Sequence, residues 1–278
     1  MKIIITAETT IDLPQQLLEE YEIRTTPFGI NFAGELREDR FGISSEIFEF
    51  VDKTKELPKT SAIPPEQYRE FFEGVKQDCD AIIHFSISSL MSSAYNNAKL
   101  ASEYMENVYI VDTQNLSTGI ALLAMYASTL NKSGHEFKDI IDKVEMRKKK
   151  LRTSFVIEKL NYLYKGGRCS ALTLLGANVL KIKPQIVVDN GRMSVGKKYI
   201  GTMGKIVDKY CDDLLEQYKD VDLENVFITH SSPMPDMEKS LESKLKNRGF
   251  KNVHNTLAGG TISSHCGPNC IGILFFEK

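Results

Sequence analysis

The chain has 278 residues, of which 42% are hydrophobic and 26% are charged, and its formal net charge is −2. This composition is typical of a globular protein that is long enough for two domains. The small negative charge argues against a general affinity for nucleic acid or for an anionic membrane. No stretch approaches the roughly 20 apolar residues that a membrane span requires. We therefore expect neither a nucleic-acid partner nor stable membrane insertion.

The N-terminus and the cysteines indicate a cytoplasmic protein. The apolar run at residues 1–6 is too short for a signal peptide and is typical of a first strand. The five cysteines are an odd and scattered set, which favours free thiols over a disulfide framework. Cys266 and Cys270 are one residue too far apart for a Cys-x-x-Cys motif, and no second ligand pair follows them. We therefore expect no metal site, because a closed zinc site needs four ligands.

The first half of the chain alternates short apolar runs with helical patterns, which predicts a parallel α/β layer. We predict strands at residues 2–6, 25–31, 81–85 and 108–112, and helices at 14–21, 44–53, 66–75, from 94 onwards, and at 119–130. A long polar helix is predicted at 136–152. We place the boundary between two α/β domains at the end of this helix, so that residues 1–152 form the N-terminal domain and 153–278 the C-terminal one.

The second half mixes several kinds of connection. We predict strands at 154–157, 226–230 and 270–276, helices at 158–164, 172–181, 203–218 and 235–247, and a hairpin of 185–189 with 193–198. The hairpin prediction follows from Asn190-Gly191, a strong signal for a tight turn. The basic run Lys148–Arg152 on the predicted polar helix is usually a solvated face, and the alternative is a docking patch for an acidic partner.

The most informative segment is the turn between residues 81 and 98, where an apolar strand runs into a cluster of hydroxyls and then into a helix. The serines of this turn are Ser86, Ser88, Ser89, Ser92 and Ser93. A helix N-terminus offers unpaired N–H groups and a positive dipole end, so hydroxyls at that place are suited to bind a phosphate or a carboxylate. The alternative is that these serines only cap the helix and form the turn.

Two further polar clusters and one arginine supply hydrogen-bond donors. They are Thr60-Ser61 in a proline-rich loop, Ser263-Ser264-His265, and Arg168 after a glycine pair. Such donors are suited to bind a carboxylate or an acyl phosphate. The pattern is less typical of catalysis, because no G-x-S-x-G elbow, no acidic partner for the histidine and no P-loop is present.

Each of these residues also has a structural interpretation. Thr60 is suited to cap the helix that follows, the glycine pair is suited to end a helix, and His265 beside Gly and Pro is suited to a turn. His84 lies inside an apolar strand, which favours a core histidine over a ligand. The residues alone therefore predict an α/β protein with a candidate anion site.

Seven segments follow the motifs of one family in order and nearly from end to end. They are residues 6–13, 59–64, 87–98, 111–113, 162–168, 182–184 and 265–268. For example, Lys59–Pro64 is similar to a K-T-S-Q-P-S motif, and Ile87–Ala98 is similar to I-S-S-x-L-S-G-T-Y-x-S-A. Through these segments the chain resembles the DegV family of fatty-acid-binding proteins.

The resemblance implies two α/β domains and a tunnel that runs from the domain junction and holds a long-chain fatty acid such as palmitate. Thr60 and Ser92 correspond to the residues that hold the carboxylate. The lipid-binding residues that the resemblance implies are Thr60, Ser61, Ser92, Ser93, Arg168 and His265. It further implies that the protein presents the acid to a separate fatty acid kinase, which phosphorylates the carboxylate to an acyl phosphate, and that no cofactor is needed besides the bound lipid.

The chain departs from the family's motifs in three places. Glu8 and Thr9 stand where Asp and Ser are usual, and Ser93-Ala94 replaces Gly-Thr. After the hairpin, Ile200 stands where the family often has an arginine. Nearby lysines are not equivalent to an arginine fork, so this position bears on the coupling to a kinase.

The leading hypothesis is a lipid-binding protein that is not itself an enzyme. The alternative from another class is a serine hydrolase of lipid esters, with Ser92 as nucleophile and His265 as base. A third hypothesis is a lipid-sensing regulator that docks a partner through residues 148–152.

Overall fold

The computed structural model describes residues 1–169 and 182–278. Its strands are β1 (Ile3–Glu8), β2 (Ile23–Thr26), β3 (Gly29–Phe32), β4 (Glu35–Glu38), β5 (Lys59–Ser61), β6 (Ala81–Ser86), β7 (Val108–Asp112), β8 (Leu151–Val156), β9 (Lys183–Asp189), β10 (Arg192–Tyr199), β11 (Val221–His230), β12 (Asn252–Leu257) and β13 (Ile271–Glu277). Its helices are α1 (Gln15–Glu20), α2 (Ser44–Thr54), α3 (Pro65–Lys76), α4 (Ala94–Ser102), α5 (Thr118–Lys132), α6 (Phe137–Lys148), α7 (Leu160–Gly166), α8 (Met203–Gln217), α9 (Pro235–Arg248) and α10 (Gly260–Cys266). A short 3₁₀ turn at Thr9–Ile11 follows β1.

The first half contains a four-stranded sheet in the order β2-β1-β6-β7, in which all neighbours are parallel. The predicted parallel α/β layer is therefore confirmed. Every residue of β1 and β6 is buried, which explains why these strands are continuous apolar runs rather than alternating ones.

The strand predicted at residues 25–31 is wrong, because this stretch forms two strands in different sheets. β2 ends at Thr26 and β3 begins at Gly29, with Pro27 between them. Proline lacks the N–H that a continuous ladder needs. β3 instead joins a small sheet in the order β4-β3-β5, in which Ile30 pairs with Thr60.

The second half contains a six-stranded mixed sheet in the order β10-β9-β8-β13-β11-β12. The hairpin around Asn190-Gly191 is confirmed, and both turn residues have positive φ, as a type I′ turn requires. The helix predicted at 136–152 is too long, because α6 ends at Lys148 and Arg152 already lies in β8. The proposed division at residue 152 falls inside this strand and stays a prediction.

The other predicted elements agree with the structure to within a few residues, apart from the helix at 172–181, which lies outside the described residues. Two elements that border the site have no counterpart in the predictions: the strand β5 and the helix α10. One face of the six-stranded sheet packs on the first half through Phe155, Ile186 and Leu274. The opposite face packs on α8 and α9 through Val156, Ile228 and Ile273. The cavity of the candidate site lies in the layer between this sheet and the first half.

Candidate functional site

The serine turn is held in place by acidic side chains from neighbouring strands. The buried Glu8 carboxylate accepts the N–H of Ile87 at 2.8 Å and the Tyr68 hydroxyl at 2.7 Å. The Asp112 carboxylate accepts the Ser89 hydroxyl at 2.5 Å. Together the Glu8 and Asp112 contacts fix the backbone that leads to Ser92.

His84 lies beneath this turn as a fully buried residue of β6. Its Nδ1 is 2.9 Å from the Thr6 hydroxyl, and its Nε2 is 3.5 Å from a Glu8 oxygen. Burial and the Glu8 carboxylate both raise the pKa of the adjoining Tyr68 hydroxyl well above its ordinary value. The histidine therefore belongs to a buried polar network of the core, as the sequence suggested, and not to the cavity.

A second histidine, His265, connects α10 with the small sheet. Its Nε2 lies 2.9 Å from the Thr60 hydroxyl on β5, a contact that spans 205 positions along the chain. Burial is the main cause that lowers the pKa of His265 to about 4, and the nearby Arg168 guanidinium lowers it further. The imidazole is therefore neutral at physiological pH.

The other nitrogen of this ring, Nδ1, is buried and has no hydrogen-bond partner in the part of the chain that the structure describes. It lies against Gly166, where a Cβ atom would stand only 2.3 Å from it. We assign the ring proton to Nε2, because an unpaired buried acceptor is less costly than an unpaired buried donor. In this tautomer His265 donates to the Thr60 oxygen, and the Thr60 hydroxyl proton is free for a ligand.

A cavity of about 280 Å³ brings five of the six predicted site residues together. The polar groups that line it include Thr60, Ser92, Ser93, Arg168 and His265. Its apolar wall consists of Phe28, Ala62, Ile87, Met91, Leu116, Leu163, Met193, Ile262 and Cys266. An apolar cavity with a few convergent polar groups is typical of a small-molecule site.

A small pocket of about 30 Å³ between β8, β13 and α10 adjoins the cavity. The two spaces share Leu116, Ile262 and Cys266 as wall residues. A larger depression of about 760 Å³ lies elsewhere, beside β1, β2 and α1, and is lined by residues such as Glu19 and Arg24. None of the predicted site residues lines that depression, so we take the cavity of about 280 Å³ as the candidate site.

Arg168 and Ser93 lie at the mouth of the cavity and are exposed, whereas Ser92 is half-buried. The Arg168 guanidinium donates to the carbonyl oxygens of Gly166 and Met91, at 2.6 Å and 3.4 Å. Ser61 is exposed and does not line the cavity. It neighbours Thr60 on β5, where successive side chains point to opposite faces.

The geometry does not favour the hydrolase hypothesis. The Ser92 hydroxyl accepts the N–H of Ala94 at 3.2 Å, whereas the Nε2 of His265 is bonded to Thr60. Among residues 1–169 and 182–278, no carboxylate orients His265, since its Nδ1 has no partner there. A nucleophile–base–orienter arrangement is the signature of such an enzyme.

The basic run Lys148–Arg152 was predicted to lie on one helix, but the structure divides it between α6 and β8. Lys148 ends α6 and pairs with Glu145 at 2.6 Å, while Arg152 lies in β8 and pairs with Glu277. In the described ranges, 1–169 and 182–278, no cluster of three potential metal ligands is found, and no helix there is both long and apolar enough to cross a membrane.

Sequence reasoning missed the apolar wall and the pairing of Thr60 with His265. The wall residues come from segments as distant as Phe28 and Ile262, and each looks like an ordinary core residue. α10 is buried on almost all sides although it contains several hydroxyls, and this burial is visible only in the structure.

Comparison with known proteins places the chain in a family. The sequence model of an "Uncharacterised protein, DegV family" matches residues 2–278. A DegV domain-containing protein of Staphylococcus aureus is 28% identical over 280 residues, which cover 100% of this chain and 99% of the relative.

Two solved structures cover 100% of this chain and are themselves covered completely. DegV from Bacillus subtilis, a fatty acid binding protein, is 26% identical with a TM-score of 0.87. A DegV family protein from Thermus thermophilus is 23% identical with a TM-score of 0.92, and at that identity it supports the fold alone. The family predicted from seven short motifs is thus confirmed: the chain belongs to the DegV family.

Proposed function

We propose that this protein binds a long-chain fatty acid, with the carboxylate at Thr60 and Ser92 and the tail along the apolar wall of the cavity. The observation that carries the proposal is the composition of that cavity: hydrogen-bonding groups from four separate segments meet there, and the remaining wall is apolar. The related Bacillus subtilis protein, which binds fatty acid, supports the same ligand class.

The chemistry of both ends of a fatty acid matches this arrangement. Each methylene that leaves water contributes about 0.8 kcal/mol, which favours the apolar wall for the tail. A buried carboxylate without partners is very costly. The hydroxyls of Thr60 and Ser92 would supply the donors that hold the carboxylate, and the exposed Arg168 would orient it for a partner, with a positive charge that solvent partly screens.

We extend the proposal to a partner: the bound carboxylate is presented to a separate fatty acid kinase, which converts it to an acyl phosphate. The exposure of Arg168 and Ser93 at the mouth supports this, because a phosphoryl donor must reach the carboxylate from outside. In this scheme the protein carries the substrate and the kinase performs the chemistry.

Native mass spectrometry of the protein purified from a bacterial host tests the binding. We expect an adduct with the mass of a long-chain fatty acid, and the delipidated protein should bind palmitate or oleate in calorimetric titration. Absence of binding by the delipidated, folded protein would refute the proposal. Labelling of Ser92 by a fluorophosphonate probe would support the hydrolase instead.

A further inference from the structure

Two buried carboxylates hold the first turn of α10, the helix that carries His265. Asp39 accepts the N–H groups of Gly260 and Thr261, at 2.7 Å and 2.9 Å. Asp12 accepts the N–H of Gly259 at 2.8 Å and the Ser117 hydroxyl at 2.5 Å. Asp12 and Asp39 are each 2% exposed.

The first turn of α10 has little freedom to shift against these carboxylates. A Cβ atom on Gly260 would stand 2.3 Å from Ile30 Cδ1 and 2.5 Å from Ile43 Cγ2. A Cβ atom on Gly259 would stand 2.7 Å from Asp12 Oδ1. The backbone of α10 therefore approaches its neighbours as closely as glycine permits.

The small sheet contacts α10 at both of its ends. Asp39 follows β4, and its own N–H donates to the carbonyl oxygen of Phe28, just before β3, at 2.7 Å. Thr60 pairs with Ile30 of β3 and contacts His265 near the end of α10. A seven-residue helix is about 10 Å long, so a displacement of its first turn also displaces His265 relative to Thr60.

We propose that Asp39 is a positioning residue for the head-group site, which it serves by holding α10 in the register that brings His265 to Thr60. The proposal rests on the proposed fatty-acid function of the cavity. Asp39 does not line that cavity, so it acts through the helix and not through the ligand.

The charge state of Asp39 is part of this role. Each oxygen of Asp39 accepts one N–H. A protonated carboxyl group would place its own proton opposite one of these donors, so the geometry favours the ionised form. The partial positive charge of the α10 N-terminus favours the same form. Burial raises the pKa of Asp39, and it raises that of Asp12 well above its usual value, with the charge of Asp39 as a further cause. Two carboxylates are costly to bury in their ionised form. Their contacts with α10 are therefore better explained by a role in positioning the helix than by a gain in stability.

The test is Asp39→Asn, whose amide oxygen can accept one of the two N–H groups but not both. We expect the Kd for palmitate to rise by up to about five- to thirtyfold, because the loss of one such bond lowers the population of the register that brings His265 to Thr60. The decisive readout is the NMR titration of His265 in the lipid-free protein, with the signal assigned through His265→Gln. In Asp39→Asn the pKa of His265 should rise from about 4 toward 6.5, because the ring leaves its buried position.

Asp208→Asn is the matched control, since Asp208 accepts the Ser240 hydroxyl at 2.5 Å between α8 and α9, beyond the other face of the sheet. It should leave both the Kd and the His265 titration unchanged. If Asp39→Asn does not fold by circular dichroism, Asp12→Asn replaces it, with the same two readouts and a smaller expected change.

A folded variant with the wild-type Kd and the wild-type His265 titration would overturn the positioning role. Loss of palmitate binding by the wild type itself would instead refute the proposed function. The lipid-free titration distinguishes the two failures because it needs no ligand.

Discussion

Replacement of Thr60 by valine tests the head-group site most directly, because it removes one hydroxyl and keeps the shape of the side chain. In the tautomer assigned above, His265 donates to the Thr60 oxygen at 2.9 Å, and the Thr60 proton is free for the carboxylate. Thr60→Val therefore removes a donor from the ligand and also leaves the Nε2–H of His265 without an acceptor.

Each of these losses lies within about 1–3 kcal/mol for a buried group. The unpaired Nε2–H is present with and without ligand, so only the lost donor to the carboxylate changes the affinity. We expect the Kd for palmitate to rise about five- to a hundredfold, and the midpoint of urea unfolding of the lipid-free protein to fall as well.

Isothermal titration of the delipidated protein measures the affinity. The matched control is Ser61→Ala, which removes the neighbouring hydroxyl from the other face of β5 and should bind palmitate like the wild type. If Thr60→Val binds like the wild type, or if the two variants lose equal affinity, then the carboxylate does not lie at Thr60 and the site is wrong.

Three further predictions concern the mouth of the cavity and its histidine. Arg168→Ala should keep much of the lipid affinity but reduce acyl-phosphate formation with a fatty acid kinase; unchanged turnover would leave Arg168 a structural residue. Because the pKa of His265 is lowered to about 4, the unfolded chain binds a proton there below pH 6.5 and the folded chain does not. Stability should therefore fall from pH 6.5 to pH 4 more steeply in the wild type than in His265→Gln, as urea midpoints at each pH would show, and parallel curves would contradict the buried neutral ring. Ile200 is 80% exposed, so Ile200→Arg should fold normally and raise acyl-phosphate output if the missing arginine limits coupling; efficient coupling by the wild type with no gain in the variant would show that the position is irrelevant.

The parts of the fold that could be predicted are those with a local signal. β6, the serine turn and α4 follow one another within residues 81–102, and the apolar run, the hydroxyls and the helical pattern are all continuous there. The Asn190-Gly191 hairpin is equally local, since the two turn residues alone determine its geometry. That the four-stranded sheet is parallel follows from the alternation of strands and helices, whereas the order of its strands does not.

The small sheet could not be predicted in the same way. β4 is exposed along its whole length, so it has no apolar alternation, and β5 is only three residues long. α10 begins with glycine and contains two serines, all weak helix formers. These elements depend on tertiary contacts, such as those of Asp39 with Gly260 and Thr261, and no window of sequence contains both partners of such a contact.

This dependence explains why the motifs suggested an anion site but left the choice of residue open. Thr60 and Ser61 are adjacent hydroxyls, and in a loop either one is suited to bind a carboxylate. Once β5 pairs with β3, successive side chains alternate between the two faces of the strand. Thr60 pairs with Ile30, and its hydroxyl contacts His265. Ser61 pairs with Gly29, and the Cβ of Ser61 lies 3.3 Å from the point where a Cβ on Gly29 would stand. A strand of three residues, too short to be recognised in the sequence, thus decides which of the two hydroxyls belongs to the cavity.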